Sequence, residues 1–402
     1  MNEKACRIVV VFGTRPEAIK LAPVIRALTS PSTGLDTKVV VTGQHRQMLD
    51  QVLSRFHIVP DADLDVMRPN QSLGELTGRV LQTLEALLSN LHPNLIVIQG
   101  DTTTAFVTAL AGFYLRIPVA HVEAGLRSHD LRNPFPEEAN RRLISVVTQI
   151  HLAPTARAAR LLVGEGLPRE NVAVTGNTVV DALDTLLGSP FSFSGTTLAG
   201  HVSPHQRIIL VTSHRRESWG QDLENICLAI RDIVQAFSDV AIVCPVHLNP
   251  NVRSIVGRLL ADCERVHLTE PLDYLTFINL AKRSYLILTD SGGIQEEAPT
   301  LRKPLLLLRQ LTERPEAFEQ GRARIVGTSR AEIVRETSRL LSDPSDYLAM
   351  TIGENPYGDG RAAERIALAI QRWRNGCRPL LSSAEEFHGS VDPALAAMSV
   401  PT

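Results

Sequence analysis

The strongest constraint on this chain is a rhythm. Apolar runs of four to six residues alternate with stretches of helical period, break once, and begin again. Short apolar runs separated by helices belong to parallel sheets, whose strands are covered on both faces. The first run, Arg7–Phe12, ends in Gly13-Thr14-Arg15, and Pro16 then suits the first turn of a helix carrying Ile19, Leu21, Val24, Ile25 and Leu28. Further strands read at Thr37–Val41, Leu95–Ile98, Pro118–Val122 and Val172–Thr175. Residues 188–206, rich in Gly, Ser and Pro, interrupt the rhythm and read as a linker. The pattern restarts at Arg207–Thr212, Ala241–Cys244, Arg265–Leu268, Tyr285–Thr289 and Leu305–Leu308.

The expected fold class is therefore α/β, with two Rossmann-like doubly wound domains, 1–187 and 207–360, facing a cleft. A length of 402 residues suits two domains of ordinary size. A helix over 361–374 is expected to cross back to the N-terminal domain, and 375–402 reads as a loosely ordered tail. Doubly wound sheets bind ligands at the carboxyl ends of their strands, so polar residues there are the first candidates for function.

Charge narrows the function classes. Lys and Arg number 41 against 43 Asp and Glu, a net charge of −2, so no global field favours nucleic acid or a membrane surface. The five cysteines (Cys6, Cys227, Cys244, Cys263 and Cys377) are scattered without metal spacing, which argues against a disulfide framework or a structural zinc site. The N-terminal apolar run is too short for a signal-peptide core, and no run approaches the roughly 20 residues of a membrane span. A soluble, cytoplasmic chain is expected.

Four strand-to-helix junctions carry the polar residues. At Phe12–Lys20 a glycine and a helix start offer backbone N–H groups, and Arg15 and Lys20 add charge, so an anion site is expected there. At 289–299, Ser291-Gly292-Gly293 lets a ligand approach the backbone, and Glu296 or Glu297 in the first helical turn could accept from a ribose diol. In the N-terminal half, Asp101 and Glu123 follow predicted strands, and Glu137 and Glu138 follow Asn-Pro-Phe-Pro. A lone strand-end carboxylate often caps a helix, whereas this group reads as an acid/base cluster whose members raise one another's pKa. Thr212-Ser-His-Arg-Arg-Glu217 places His214 at a strand end beside Arg215 and Arg216, suited to a phosphate or a leaving oxygen.

These segments, with Thr-Gly-Gln-His-Arg-Gln-Met-Leu (42–49), Gln-Gly-Asp-Thr-Thr-Thr (99–104), His-Val-Glu-Ala-Gly-Leu-Arg (121–127), Pro-Glu-Glu-Ala-Asn-Arg (136–141), Pro-Val-His-Leu-Asn-Pro (245–250) and Thr-Glu-Arg-Pro-Glu-Ala (312–317), occur in order along the chain. Together they closely resemble the non-hydrolysing UDP-N-acetylglucosamine 2-epimerases, from about Arg7 to Arg374. The resemblance implies a glycosyltransferase-B-like fold, a homodimer, and no metal or nicotinamide. It implies interconversion of UDP-GlcNAc and UDP-ManNAc for cell-surface polysaccharide, by elimination of UDP to 2-acetamidoglucal and re-addition.

By matching positions, Asp101, Glu123, Glu137 and His214 take the catalytic roles. Arg15, Lys20, Phe277, Ser291, Gly292, Gly293, Glu297 and Arg314 take the UDP and substrate site. Gln44, Gln47, Arg215 and His247 match positions where many members bind a second, activating UDP-GlcNAc. Ser213 stands where Gly or Ala is commoner, and Met-Arg-Pro-Asn-Gln (67–71) does not clearly present the further allosteric arginine seen in some members. Rival readings are a hydrolysing epimerase, an epimerase of a modified UDP-hexosamine, a glycosyltransferase, and a silent nucleotide-sugar sensor. The carboxylate cluster weighs against the last two.

Overall fold

The computed structural model describes residues 6–43, 46–68, 71–213 and 220–389, with the side chains of 46–48 left out. The chain divides into two units, Met1–Asp184 with Tyr357–Thr402, and Thr185–Pro356.

In the first unit, strands β1 (Cys6–Phe12), β2 (Leu35–Val41), β3 (Ala62–Asp63), β4 (Leu95–Gln99), β5 (Val119–Val122), β6 (Ile150–Ala153) and β7 (Val172–Val174) pair in the order β3-β2-β1-β4-β5-β6-β7. Every pairing is parallel. Helices α1 (Arg15–Leu28), α2 (Arg46–Arg55), α3 (Leu73–Leu91), α4 (Thr103–Tyr114), α5 (Glu137–Val147), α6 (Ala156–Gly164) and α7 (Thr178–Leu187) connect them. Strand β4, an apolar run Leu-Ile-Val-Ile ending in Gln99, is buried throughout, as a central parallel strand must be. Helix α3 buries Leu76, Val80, Leu84 and Leu88, spaced by four, in the same core as Val9, Val11, Ile96 and Ile98.

The second unit holds β8 (Arg207–Thr212), α8 (Gln221–Ala236), β9 (Val240–Pro245), α9 (Pro250–Leu260), β10 (Val266–Thr269), α10 (Tyr274–Arg283) and β11 (Leu286–Thr289). It continues with α11 (Gly292–Thr300), β12 (Leu305–Leu307), α12 (Glu316–Glu319), β13 (Ala323–Ile325), α13 (Arg330–Ser342) and α14 (Pro344–Ala349). Its strands pair in parallel in the order β10-β9-β8-β11-β12-β13. In each sheet the strand order reverses once, between β1 and β4 and between β8 and β11. Those reversal points are where ligands bind in this architecture.

Helix α15 (Ala362–Arg374) lies in the first unit against α1. Its first N–H groups, Ala362 and Ala363, donate to the Asp181 carboxylate of α7 at 3.2 and 2.8 Å. Two segments differ from expectation. The stretch 188–206 is not a free linker: Leu198 is fully buried, and Arg283 donates to the Ser203 carbonyl at 2.7 Å. The supposed loose tail is anchored as far as its described part, to residue 389, extends. Leu380 and Leu381 are buried, and the Phe387 N–H donates to the Val174 carbonyl at 2.8 Å. Three apolar anchors among Ser, Pro and Glu are too few to show a periodicity, yet enough to dock the segment.

Candidate functional site

At the reversal point of the first unit, the loops after β1 and β4 are tied together. The Gly13 and Thr14 N–H groups donate to Glu17 Oε2 at 3.1 and 2.7 Å, joined by the Thr14 hydroxyl at 2.7 Å. The Thr102 hydroxyl donates to Glu17 Oε1 at 2.7 Å. This corrects the expectation of N–H groups open to an anion, because a side chain of the same helix already binds them. Lys20 is likewise committed, buried and ion-paired with Glu123. Arg15, half-buried at the first position of α1, is the remaining cation of that turn singled out from the sequence.

Asp101 follows Gly100, whose φ of 73° turns the chain away from β4. The Gly100 N–H donates to the Val122 carbonyl at 3.0 Å, and its own carbonyl accepts from His121 Nε2 at 2.7 Å. Helix α5 supplies two further holds: Asn140 donates to the Asp101 carbonyl at 2.8 Å, and Arg141 pairs with its carboxylate at 2.5 Å. The other Arg141 nitrogen meets the fully buried Glu138 at 3.1 Å. The side chain of Asp101 is 22% exposed while that of Glu138 is 0%, so Asp101 can meet a solute and Glu138 serves the scaffold.

Glu123 stands one residue beyond β5 with φ of 65°, a left-handed conformation that a glutamate adopts at a cost. Glu137 is the half-buried first residue of α5. The sequence suggested carboxylates crowded against one another. The geometry instead sets a cation beside Asp101 and another beside Glu123, so the nearest charge to each is opposite in sign.

Behind these loops, His121 and His151 are register partners on β5 and β6. Burial pushes them down to about 3 and about 4, against the pull of a backbone hydrogen bond to each. His121 is therefore neutral, and its proton sits on Nε2, facing the Gly100 carbonyl. A histidine held below its unfolded value stabilises fully above about pH 6.5 and loses that contribution as pH falls toward the folded value. The loss is on the order of 1.4 kcal/mol per pH unit for each such group. His121→Gln can keep the donor without titrating. The wild-type melting temperature, measured relative to this variant, is expected to fall between pH 7 and pH 5. A constant difference would contradict the assignment.

In the second unit, the Thr212 and Thr289 hydroxyls meet at 2.6 Å across β8 and β11, and the Ser213 hydroxyl donates to buried Asp290 at 3.3 Å. His214 and Arg215, just beyond, lie outside the described residues, as does Gln44. Gln47 falls on α2, with its side chain undescribed. Helix α11 begins at Gly292, which moves Glu296 and Glu297 from the expected first turn to the second. Glu296 is buried against Arg314 Nε at 2.5 Å, and Glu297 accepts from the Tyr274 hydroxyl at 2.7 Å.

Arg314 also meets Glu313 at 2.6 Å. A side chain at Gly292 would come within 3.1 Å of the Arg314 guanidinium, whereas the space above Gly293 is open. Gly293, exposed beside Ser291, is thus where a ligand can approach the helix start. Phe277 is half-buried on α10. His247 is exposed after β9, its Nδ1 accepting the Asn249 N–H at 3.1 Å. Sequence reasoning did not single out Glu17, Thr102, His121, Asn140 or Arg141. Only Glu17 carried a local signal, the Thr14-x-x-Glu17 capping pattern.

The family model described as UDP-N-acetylglucosamine 2-epimerase matches residues 27–371. The UDP-N-acetylglucosamine 2-epimerase of Salmonella typhimurium is 49% identical over 381 residues, spanning 92% of this chain and 99% of that protein. The Escherichia coli K12 enzyme of the same name is 49% identical over 374 residues, covering 92% of this chain and 99% of its own length. Among solved structures, a UDP-GlcNAc 2-epimerase from Neisseria meningitidis bound to UDP-GlcNAc superposes with a TM-score of 0.84 at 46% identity, covering 91% of this chain and all of that one. The S. aureus MnaA structure with UDP gives 0.87 at 44% identity, covering 95% of this chain and 100% of that one. Among the described residues no helix is long and apolar enough to cross a membrane. With a family model matched over most of the chain and relatives 49% identical along nearly their whole length, this chain belongs to the UDP-N-acetylglucosamine 2-epimerase family.

Proposed function

We propose that the chain epimerises UDP-GlcNAc at C2 to UDP-ManNAc, without hydrolysing the nucleotide sugar. The observation that carries this reading is Asp101 and Glu123 beyond the ends of adjacent strands, each fixed by its own cation. Inversion needs one group to take a proton from one face of C2 and another to return one to the opposite face. The C2 hydrogen is not acidic in the ground state, so its loss is coupled to rupture of the C1–O bond. UDP leaves with the bonding pair, and 2-acetamidoglucal remains. Reprotonation from the other face and return of UDP to C1 complete the reaction. Glu137 is the third acid/base candidate.

Arg15 and His214, with the backbone of Ser291, Gly292 and Gly293, stabilise the leaving pyrophosphate. Lys20 serves the substrate site through Glu123. Glu297 and Phe277 hold the nucleotide, and Arg314, enclosed by Glu296 and Glu313, supports the Gly292 turn. A homodimer, a cytoplasmic location, supply of ManNAc for cell-surface polysaccharide and activation by a second UDP-GlcNAc through Gln44, Gln47, Arg215 and His247 belong to the same proposal. The test is incubation with UDP-GlcNAc in deuterated water, followed by proton NMR. UDP-ManNAc carrying deuterium at C2 is expected. Retention of the original hydrogen would exclude the elimination route, and release of free ManNAc would favour the hydrolysing alternative.

A further inference from the structure

Glu17 makes contacts that its place in α1 does not require. As the third residue of a helix capped by Thr14, a glutamate ordinarily returns one oxygen to the cap N–H, and Oε2 does so. Oε1 instead accepts the hydroxyl of Thr102, 85 residues along the chain. The Thr102 oxygen in turn caps α4, accepting the Ala105 N–H at 3.0 Å, so its single hydrogen is committed to Glu17. The Glu17 carboxylate is 1% exposed and bonded to four neutral donors, a placement that burial opposes and that those donors must offset. It thus spans the two loops at the reversal point, one opening into Arg15 and the other containing Asp101.

We infer that Glu17 is a positioning residue for the epimerisation, holding the Asp101 loop at a fixed spacing from the Arg15 turn through the Thr102 hydroxyl. What Asp101 and Arg15 do rests on the functional reading above; the clamp itself does not. Glu17→Gln keeps an oxygen for Gly13 and Thr14 but offers Thr102 an amide, and Thr102→Val removes the hydroxyl from the other side. Hydrogen exchange of Glu17→Gln is expected to quicken in the peptide covering 100–106 as well as in 13–18. Turnover should fall roughly 10- to 100-fold in each variant, the scale of a small misplacement of a reacting group, with UDP affinity changed less than about twofold. The double variant should be no worse than the poorer single one, because both break one link.

Exchange confined to 13–18, or losses that multiply, would overturn the clamp and leave Glu17 a simple helix cap. If Glu17→Gln does not fold, Thr102→Ser against Thr102→Val decides: turnover kept by the first and lost by the second supports the link, and equal turnover refutes it. A wild-type protein that does not epimerise UDP-GlcNAc would refute the functional reading, while the exchange measurement still judges the clamp.

Discussion

Asp101→Asn is expected to lower turnover by roughly 10²-fold or more while leaving UDP affinity nearly unchanged. The substitution keeps the shape of the side chain and an oxygen for Arg141, which stays bonded to Glu138 at 3.1 Å. The loop is also held from outside the side chain, by His121 on the Gly100 carbonyl and Asn140 on the Asp101 carbonyl. Loss of activity therefore does not require loss of structure. What disappears is the charge and the capacity to take and return a proton. Glu297→Ala is the contrasting case: it lies in the second unit, against Tyr274, and should weaken UDP binding directly. Calorimetric titration with UDP beside steady-state rates separates the two. Equal loss of UDP binding in both variants would make Asp101 structural.

The alternation that defines the fold was legible because central parallel strands carry unbroken apolar runs, Ile8–Phe12 in β1 and Leu95–Ile98 in β4. The strands that escaped detection lack that signal. β3 is two residues long, β6 includes His151, and β13 has Arg324 in its middle. Site residues divide in the same way. Asp101 and Glu123 were readable as carboxylates following apolar runs, since topology alone sends strand ends to the binding face. Their partners were not readable, because nothing local connects Lys20 to a glutamate 103 positions away or Thr102 to Glu17. A basic residue within a helix that follows a glycine turn suits a phosphate equally well on paper. Only the folded sheet, with β1, β4 and β5 side by side, decides that Lys20 meets Glu123.

That pair carries the other large effect. The side chains of Lys20 and Glu123 are 9% and 7% exposed, so each charge is buried against the other. Lys20→Met keeps the length and apolar stem of the lysine but leaves a carboxylate buried beside a thioether. Removing one partner of a buried ion pair typically costs roughly 3–5 kcal/mol, and a loss of that size is expected in the transition of the first unit under denaturant. Turnover should collapse with it, since Glu123 can then neutralise itself or swing away. The double change Lys20→Met with Glu123→Gln removes both charges and should recover most of the stability, because a neutral amide is far less costly to bury than a carboxylate that has lost its lysine. It should not recover turnover, because no amide can exchange a proton with C2 in place of a carboxylate. Stability of the double variant no better than that of Lys20→Met would show that the two charges are not coupled. Turnover restored along with stability would show that Glu123 is scaffold, leaving Asp101 and Glu137 as the remaining acid/base candidates among the described carboxylates.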